Sequence, residues 1–258
     1  MDDFLKQLKK KCRAEISQYG FIQKKNVFAR IVNDVFQSFH IEKIVRSFNL
    51  RECRIGFAVL PLCQKLDANW VLSGVDKYYL REFEVTHWTE GDDWKYKIDS
   101  DEISSCIDEI LVYISRYLIP FFERSDTCKT ALPEIVKLEK LFNDNRKESL
   151  RQSGKKDMAD PYAEINLIDS VKYYMALKNG DLDFALKCRR ALLKQNVDSY
   201  NSMAERGYLI EEDRLRREKA IAMLRNEINE IEYHNEVYIQ QIIVDNEAYS
   251  QENLKSIF

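Results

Sequence analysis

Glycine, proline and histidine are scarce in this chain: 7, 4 and 3 among 258 residues. So few glycines and prolines leave little material for the tight turns of an all-β sandwich, which tilts the class toward helix. The glycines are also scattered singly, so neither glycine-rich phosphate loop is present, and there is no Gly-x-Ser-x-Gly elbow. His40, His87 and His234 form no zinc-type pair. Cys12, Cys53, Cys63, Cys106, Cys128 and Cys188 contain no Cys-x-x-Cys spacing and sit among apolar neighbours, which reads as reduced thiols in a core. No apolar run approaches the ~20 residues that span a bilayer. The Met-Asp-Asp start lacks a basic segment followed by an apolar one, so no secretory signal is read and a cytoplasmic location without membrane attachment is expected. A formal charge of -3 makes nucleic acid an unlikely partner.

What is present is a change of hydrophobic period near residue 145, from strand-like alternation to helix. The fold class expected is α+β: an N-terminal helix and an antiparallel β-meander covered by helices over residues 1–144, a polar linker at 145–160, and an all-α region at 161–258 with a helical hairpin and a long helix. Phe4, Leu8, Cys12 and Ile16 recur every fourth residue of the first helix, capped by Asp2 or Asp3 and stopped by Gly20. Lys24-Lys25-Asn26 reads as a turn with Asn26 suited to positive φ, and strands follow at Val27 to Val32, Val35 to Ile41 and Cys53 to Leu60. A further extended stretch is expected around Tyr78 to Trp88. Ser100-Asp101-Glu102 opens a helix whose stripe runs from Ile103 to Leu118; Pro120 interrupts or kinks it, and Pro133 fits the first turn of a short helix ending near Asn143.

Beyond the linker, Ile165 to Leu177 is helical. Lys178-Asn179-Gly180-Asp181 sets a C-terminal glycine against an N-terminal cap, joining antiparallel helices. Through Tyr174, Ala176, Gly180, Asp181 and Ala185 this hairpin resembles one helical-repeat unit of the tetratricopeptide type. The last helix is expected from Glu211 to Ala248, with Ile221, Leu224, Ile228, Ile231, Asn235, Tyr238 and Ile242 in heptad spacing and Asn235 at an a position. These are the candidate interface residues. A parallel homodimer would oppose Glu227 and Glu232, so antiparallel packing on the chain's own helices is preferred and a homodimer through this helix comes second.

Two clusters offer chemistry. Arg30, His40 and Arg54, with Phe28 and Phe36, are candidates for an anion- or ligand-binding sheet face, unless that face is covered by helices. Gln37 falls among apolar neighbours, where it either tethers backbone or contacts a ligand. His87, Glu90 and Asp92, beside Trp88 and Trp94, are the metal candidates, though a solvated acidic turn accounts for them as well. No catalytic residue and no cofactor is assigned. Charge is uneven: Lys6, Lys9, Lys10, Lys11, Arg13, Lys24 and Lys25 gather near the N-terminus, and carboxylates dominate Glu82 to Glu109.

Gly20-Phe21, Lys24-Lys25-Asn26, Phe28-x-Arg30, Gln37-Ser38 and Ile55-Gly56-Phe57-Ala58-Val59 resemble the bacterial domain-of-unknown-function family 4304 over roughly residues 1–135. Asn26 stands where glycine is usual in that family. The resemblance implies a helix followed by a meander and supplies no catalytic residues. The expected function is a non-enzymatic module that binds another protein, in one form an immunity-like protein. The alternative is a small-ligand protein or enzyme using the sheet face or the acidic Trp/His stretch.

Overall fold

The computed structural model describes residues 2–44, 52–74, 78–83, 96–97, 103–152 and 169–258. Alternating apolar side chains build an antiparallel meander of β1 (Ile22–Lys24), β2 (Val27–Val32), β3 (Val35–Ile44) and β4 (Glu52–Pro61). The outer edge of β4 pairs with β5 (Tyr78–Tyr79) and, further along, with β6 (Tyr96–Lys97). In the first turn it is Lys25, not Asn26, that takes positive φ, at 56°. The extended stretch expected at Tyr78 to Trp88 ends after two residues in a 3₁₀ turn, Leu80–Phe83. That turn brings residues three apart to one side, and both Leu80 and Phe83 join the core. Residues 84–88 lie outside the described part.

Both faces of the sheet are covered. The face bearing Phe28, Phe39 and Phe57 packs against Phe21, α1 (Asp2–Ile16) and the helical run 103–124. On the opposite face α6 (Ser170–Asn179) packs on β4, Phe258 lies against Phe36, and Gly74, just after α2 (Ala68–Leu72), closes on His40; α9 (Glu236–Leu254) packs on the 3₁₀ turn Leu62–Gln64 that follows β4. α9 is tied to the end of β4: Asn246 Nδ2 donates to Cys63 O at 2.7 Å, Ser250 Oγ donates to Leu62 O at 2.6 Å, and Leu66 N donates to Ser250 Oγ at 2.8 Å. One buried apolar cluster accordingly contains residues from α1, the sheet and the C-terminal helices alike.

Prolines shape the helices differently from expectation. Pro120 does not break the run: α3 (Ile103–Tyr113) passes through a π turn, Ile114–Leu118, into α4 (Ile119–Arg124), which has Pro120 in its first turn. The wider turn makes room for a ring that would otherwise clash with the carbonyl four residues back. Residues 100–102, expected to open this run, lie outside the described part. α5 (Cys128–Gln152) begins five residues before Pro133, because Asp34 in the β2–β3 turn caps it from outside, accepting from Cys128 N at 2.9 Å. It also runs on to Gln152, through the first half of the segment read as a linker; 153–160 lie outside the described residues.

Asp169 caps α6, and 165–168, read as its first turn, are outside the described part. Gly180, at φ 73°, ends α6, and Asp181 starts α7 (Leu182–Glu205) by accepting from Phe184 N. α8 (Glu211–Glu232) returns antiparallel along α7, with Tyr200 Oη bonded to Glu218 at 2.8 Å and Arg190 paired to Glu232 at 2.6 Å. The single helix expected from Glu211 to Ala248 is two helices. His234 takes φ 49° and the chain turns; Asn235 is no heptad a residue but the exposed N-cap of α9, accepting from Tyr238 N at 3.1 Å. Asn235→Ala should therefore cost about 1 kcal/mol of stability in a urea titration without changing the sedimentation coefficient. A change of oligomeric state would contradict the cap role.

Candidate functional site

Strand register decides where the nominated sheet residues go. β2 and β3 pair Arg30 with Gln37 and Phe28 with Phe39, so each even-numbered residue of β2 shares a face with an odd-numbered residue of β3. β3 and β4 pair His40 with Gly56 and Glu42 with Arg54, even with even. Arg30 and Phe28 consequently lie on one face, and His40, Arg54 and Phe36 on the other. The expected grouping of Arg30, His40 and Arg54 on one open face is incorrect on both counts, since they are divided and both faces are covered.

On the first face, Gln37 is wholly buried and saturated. Its Nε2 donates to Phe122 O and Ser125 O, both at 2.7 Å, and its Oε1 accepts from Arg30 Nε at 2.7 Å. It is a backbone tether between β3 and the end of α4. Arg30 completes the link by donating to Tyr19 O at 2.5 Å with its guanidinium over the Phe21 ring. Both amide hydrogens and the carbonyl of Gln37 are thus engaged by protein, and Arg30 spends its Nε and Nη1 donors on the same link.

On the second face, the residues that gather are His40, Glu42, Arg54 and Tyr79. Arg54 Nε bonds Glu42 Oε2 at 2.5 Å, its guanidinium lies 5.3 Å from the Tyr79 ring centroid, and His40 Nε2 stands 3.9 Å from the same Glu42 oxygen. Glu42 was not singled out from sequence, although it follows His40 by two residues and so had to share its face. His40 is itself buried against Gly74, whose φ of 90° and lack of a side chain admit the imidazole; a Cβ there would meet Nε2 at 2.8 Å. The group closes the sheet edge around one shared carboxylate.

His87, Glu90 and Asp92 lie outside the described residues, as do Trp88 and Trp94. Among the described residues no three His, Cys, Asp or Glu side chains are placed to hold a metal ion. Burial pushes the Cys12 and Cys53 thiols up to about 12 and Cys188 up to about 11, so these sulfurs are protonated at neutral pH and serve packing. Part of the N-terminal basic set is spent locally: Lys11 pairs with Asp108 at 2.5 Å and Lys9 donates to Asn26 at 2.9 Å. Beside that ion pair runs a shallow groove of about 490 Å³ between α1 and α3, floored by Leu111 and Val112 and edged by Glu15, Asp108, Ser115 and Arg116.

Sequence reasoning missed two buried polar groups. Lys172 of α6 is fully buried with Nζ between the two oxygens of Glu139 in α5. Arg189 of α7 stacks its guanidinium 3.4 Å from the Tyr173 ring centroid and stands 2.8 Å from Glu227 Oε2, an ion pair without hydrogen-bond alignment. Burial raises the Tyr173 hydroxyl above its usual range. A lone cation in a helical pattern signals neither its depth nor a partner tens of residues away.

Of the interface candidates, Ile221, Leu224, Ile228 and Ile231 are buried within the chain, on the face of α8 that meets α7. Glu227 and Glu232, whose repulsion argued against a parallel dimer, are each neutralised by α7, through Arg189 and Arg190. Tyr238 and Ile242 pack half-buried against the core from α9. Exposed apolar side chains stand instead where the helices turn: Tyr208, Ile210 and Leu215 between α7 and α8, and Tyr233 and Val237 between α8 and α9. No helix among the described residues is long and apolar enough to cross a membrane. Comparison with protein-family models, with curated proteins and with solved structures returned no match, so the site stands on its own geometry.

Proposed function

We propose that this chain is a non-enzymatic module that binds another protein through the turning points of its C-terminal helices, in the manner of an immunity protein. The observation that carries the reading is the exposure of Tyr233 and Val237, 83% and 80% accessible on either side of the α8–α9 elbow. Large aromatic and aliphatic side chains raised on a rigid corner are the material of interface anchors. Tyr208 and Ile210 repeat the arrangement at the α7–α8 turn. The likeness of residues 1–135 to the domain-of-unknown-function family 4304 belongs to the same proposal, with that part acting as the scaffold.

The test is a photoreactive phenylalanine analogue at Tyr233 or at Tyr208, with irradiation in the native host. Discrete heavier adducts containing a second protein are expected at one or both positions and not at Gln18, which is exposed in the turn that follows α1. Absence of any adduct from folded, abundant protein at both positions would remove the reading.

A further inference from the structure

The inner face of α9 is fully accounted for: Ile239, Ile243, Asn246, Ser250 and Leu254 are buried against the turn after β4 and the neighbouring helices. A second stripe runs along the opposite side. Val237, Gln241, Val244, Ala248 and Gln251 follow one another at intervals of four, three, four and three residues, and all five are exposed. At 3.6 residues per turn they fall within an arc of roughly 80°, the width of a helix-packing seam. None is charged, in a chain where 32% of residues are. A face meant only for water has no reason to repeat this pattern. α8 has charge on its exposed side, with Arg216, Lys219 and Arg225.

The flanks carry a definite sign. α9 contains Glu236, Asp245, Glu247 and Glu252 and no Lys, Arg or His. Glu236 and Glu247 border the seam on one side, Asp245 and Glu252 on the other. Lys178 neutralises Glu247 at 2.6 Å and Lys255 neutralises Glu252, so the acidic character of the flanks comes from Glu236 on one side and from Asp245, held by Gln241 at 2.6 Å, on the other; neither of these two pairs with a cation among the described residues. A second copy of α9 laid on the seam would set carboxylates against carboxylates. A helix with Lys or Arg flanking its own apolar stripe meets opposite charge on both sides.

We infer that the outer face of α9, from Val237 to Gln251, is a docking seam for an amphipathic helix of a partner protein whose flanking positions are basic. This rests on the protein-binding reading and names the surface and the chemistry of its partner. The seam residues are small or flexible, so the approach is close and the helix backbones lie near each other. The carboxylates contribute orientation and rate of encounter more than depth of binding.

The probe is a synthetic helical peptide with a Leu/Ala seam and Lys flanks, titrated into the full chain by fluorescence anisotropy, beside a Glu-flanked peptide and a scrambled peptide of the Lys-flanked composition. Binding of the Lys-flanked peptide alone is expected, with affinity falling about tenfold or more in Val244→Glu and in Ala248→Arg and unchanged in Gln18→Glu, an exposed position outside the proposed binding surface. Val244 and Ala248 are exposed, so both variants should keep the circular dichroism spectrum and melting temperature of the parent. Equal binding of the scrambled or Glu-flanked peptide, no binding of the Lys-flanked one, or indifference to Val244→Glu would overturn the inference. So would concentration-dependent dimerisation of the unaltered chain that Val244→Glu abolishes, which would make a second copy the occupant. Adducts persisting at Tyr208 or Tyr233 alongside a failed peptide titration would sink the seam and leave the protein-binding reading standing.

Discussion

Replacing Glu139 by glutamine is expected to lower the unfolding free energy by about 3–5 kcal/mol. Lys172 Nζ lies 2.5 and 2.7 Å from the two Glu139 oxygens, and Tyr78 Oη donates to one of them at 3.0 Å. Glutamine preserves the shape and removes the charge, which strands an ammonium that has no accessible surface. The partners differ in depth, so the reverse experiment is milder. Glu139 retains 14% exposure of its side chain, and in Lys172→Met its carboxylate can still turn toward water. The double variant Glu139→Gln, Lys172→Met should recover most of the loss, because a paired ion site exchanged for a neutral one costs little. Urea titrations of the four proteins measure the cycle. Equal losses for the two single variants, or a double variant as weak as Glu139→Gln, would mean that the ion pair does not govern how α5, α6 and the edge strand β5 hold together.

Phe57→Ala should cost a further comparable amount, about 3–5 kcal/mol. Phe57 has no exposed surface and its ring meets those of Tyr78 at 5.5 Å, Phe121 at 5.6 Å, Phe83 at 5.8 Å and Phe122 at 6.2 Å between centroids. It is the point where the sheet, the 3₁₀ turn Leu80–Phe83 and α4 come together. Four surrounding rings held by three separate elements cannot collapse into the space, so the cavity term adds to the lost transfer energy. Phe57→Leu, which keeps most of the volume, should lose about 1.5 kcal/mol or less. Chemical denaturation with circular dichroism distinguishes them; an alanine variant within about 1 kcal/mol of the parent would show that these rings are not packed as a unit.

The features legible from sequence are those whose causes lie within a few residues. Gly180 beside Asp181 marks a helix end and a helix start because the left-handed cap and the carboxylate cap are local requirements, and both stand where expected. The strands from Val27 to Val32, Val35 to Ile41 and Cys53 to Leu60 follow from alternation, and Gln37 as a tether from the cost of burying an amide. The heptad through Asn235 misled for a related reason. Spacing of three and four continues across a three-residue break as readily as through a helix, and only His234 at positive φ with Asn235 as a cap reveals the turn. The outer stripe of α9 was equally present in the letters, hidden beneath the inner one that shares its helix.

By itself the sequence determined the α+β class, the succession of first helix, antiparallel meander and α6–α7 hairpin, and the thiols' membership of the core, since composition, period and capping act over short stretches of chain. The tertiary structure alone decided that Arg30 faces away from His40 and Arg54, that α6 packs on β4 and α9 on the turn that follows it, and that Lys172 finds Glu139. Register offset, helix docking and the pairing of buried charges depend on distances between segments far apart in the chain, and no local periodicity encodes those distances.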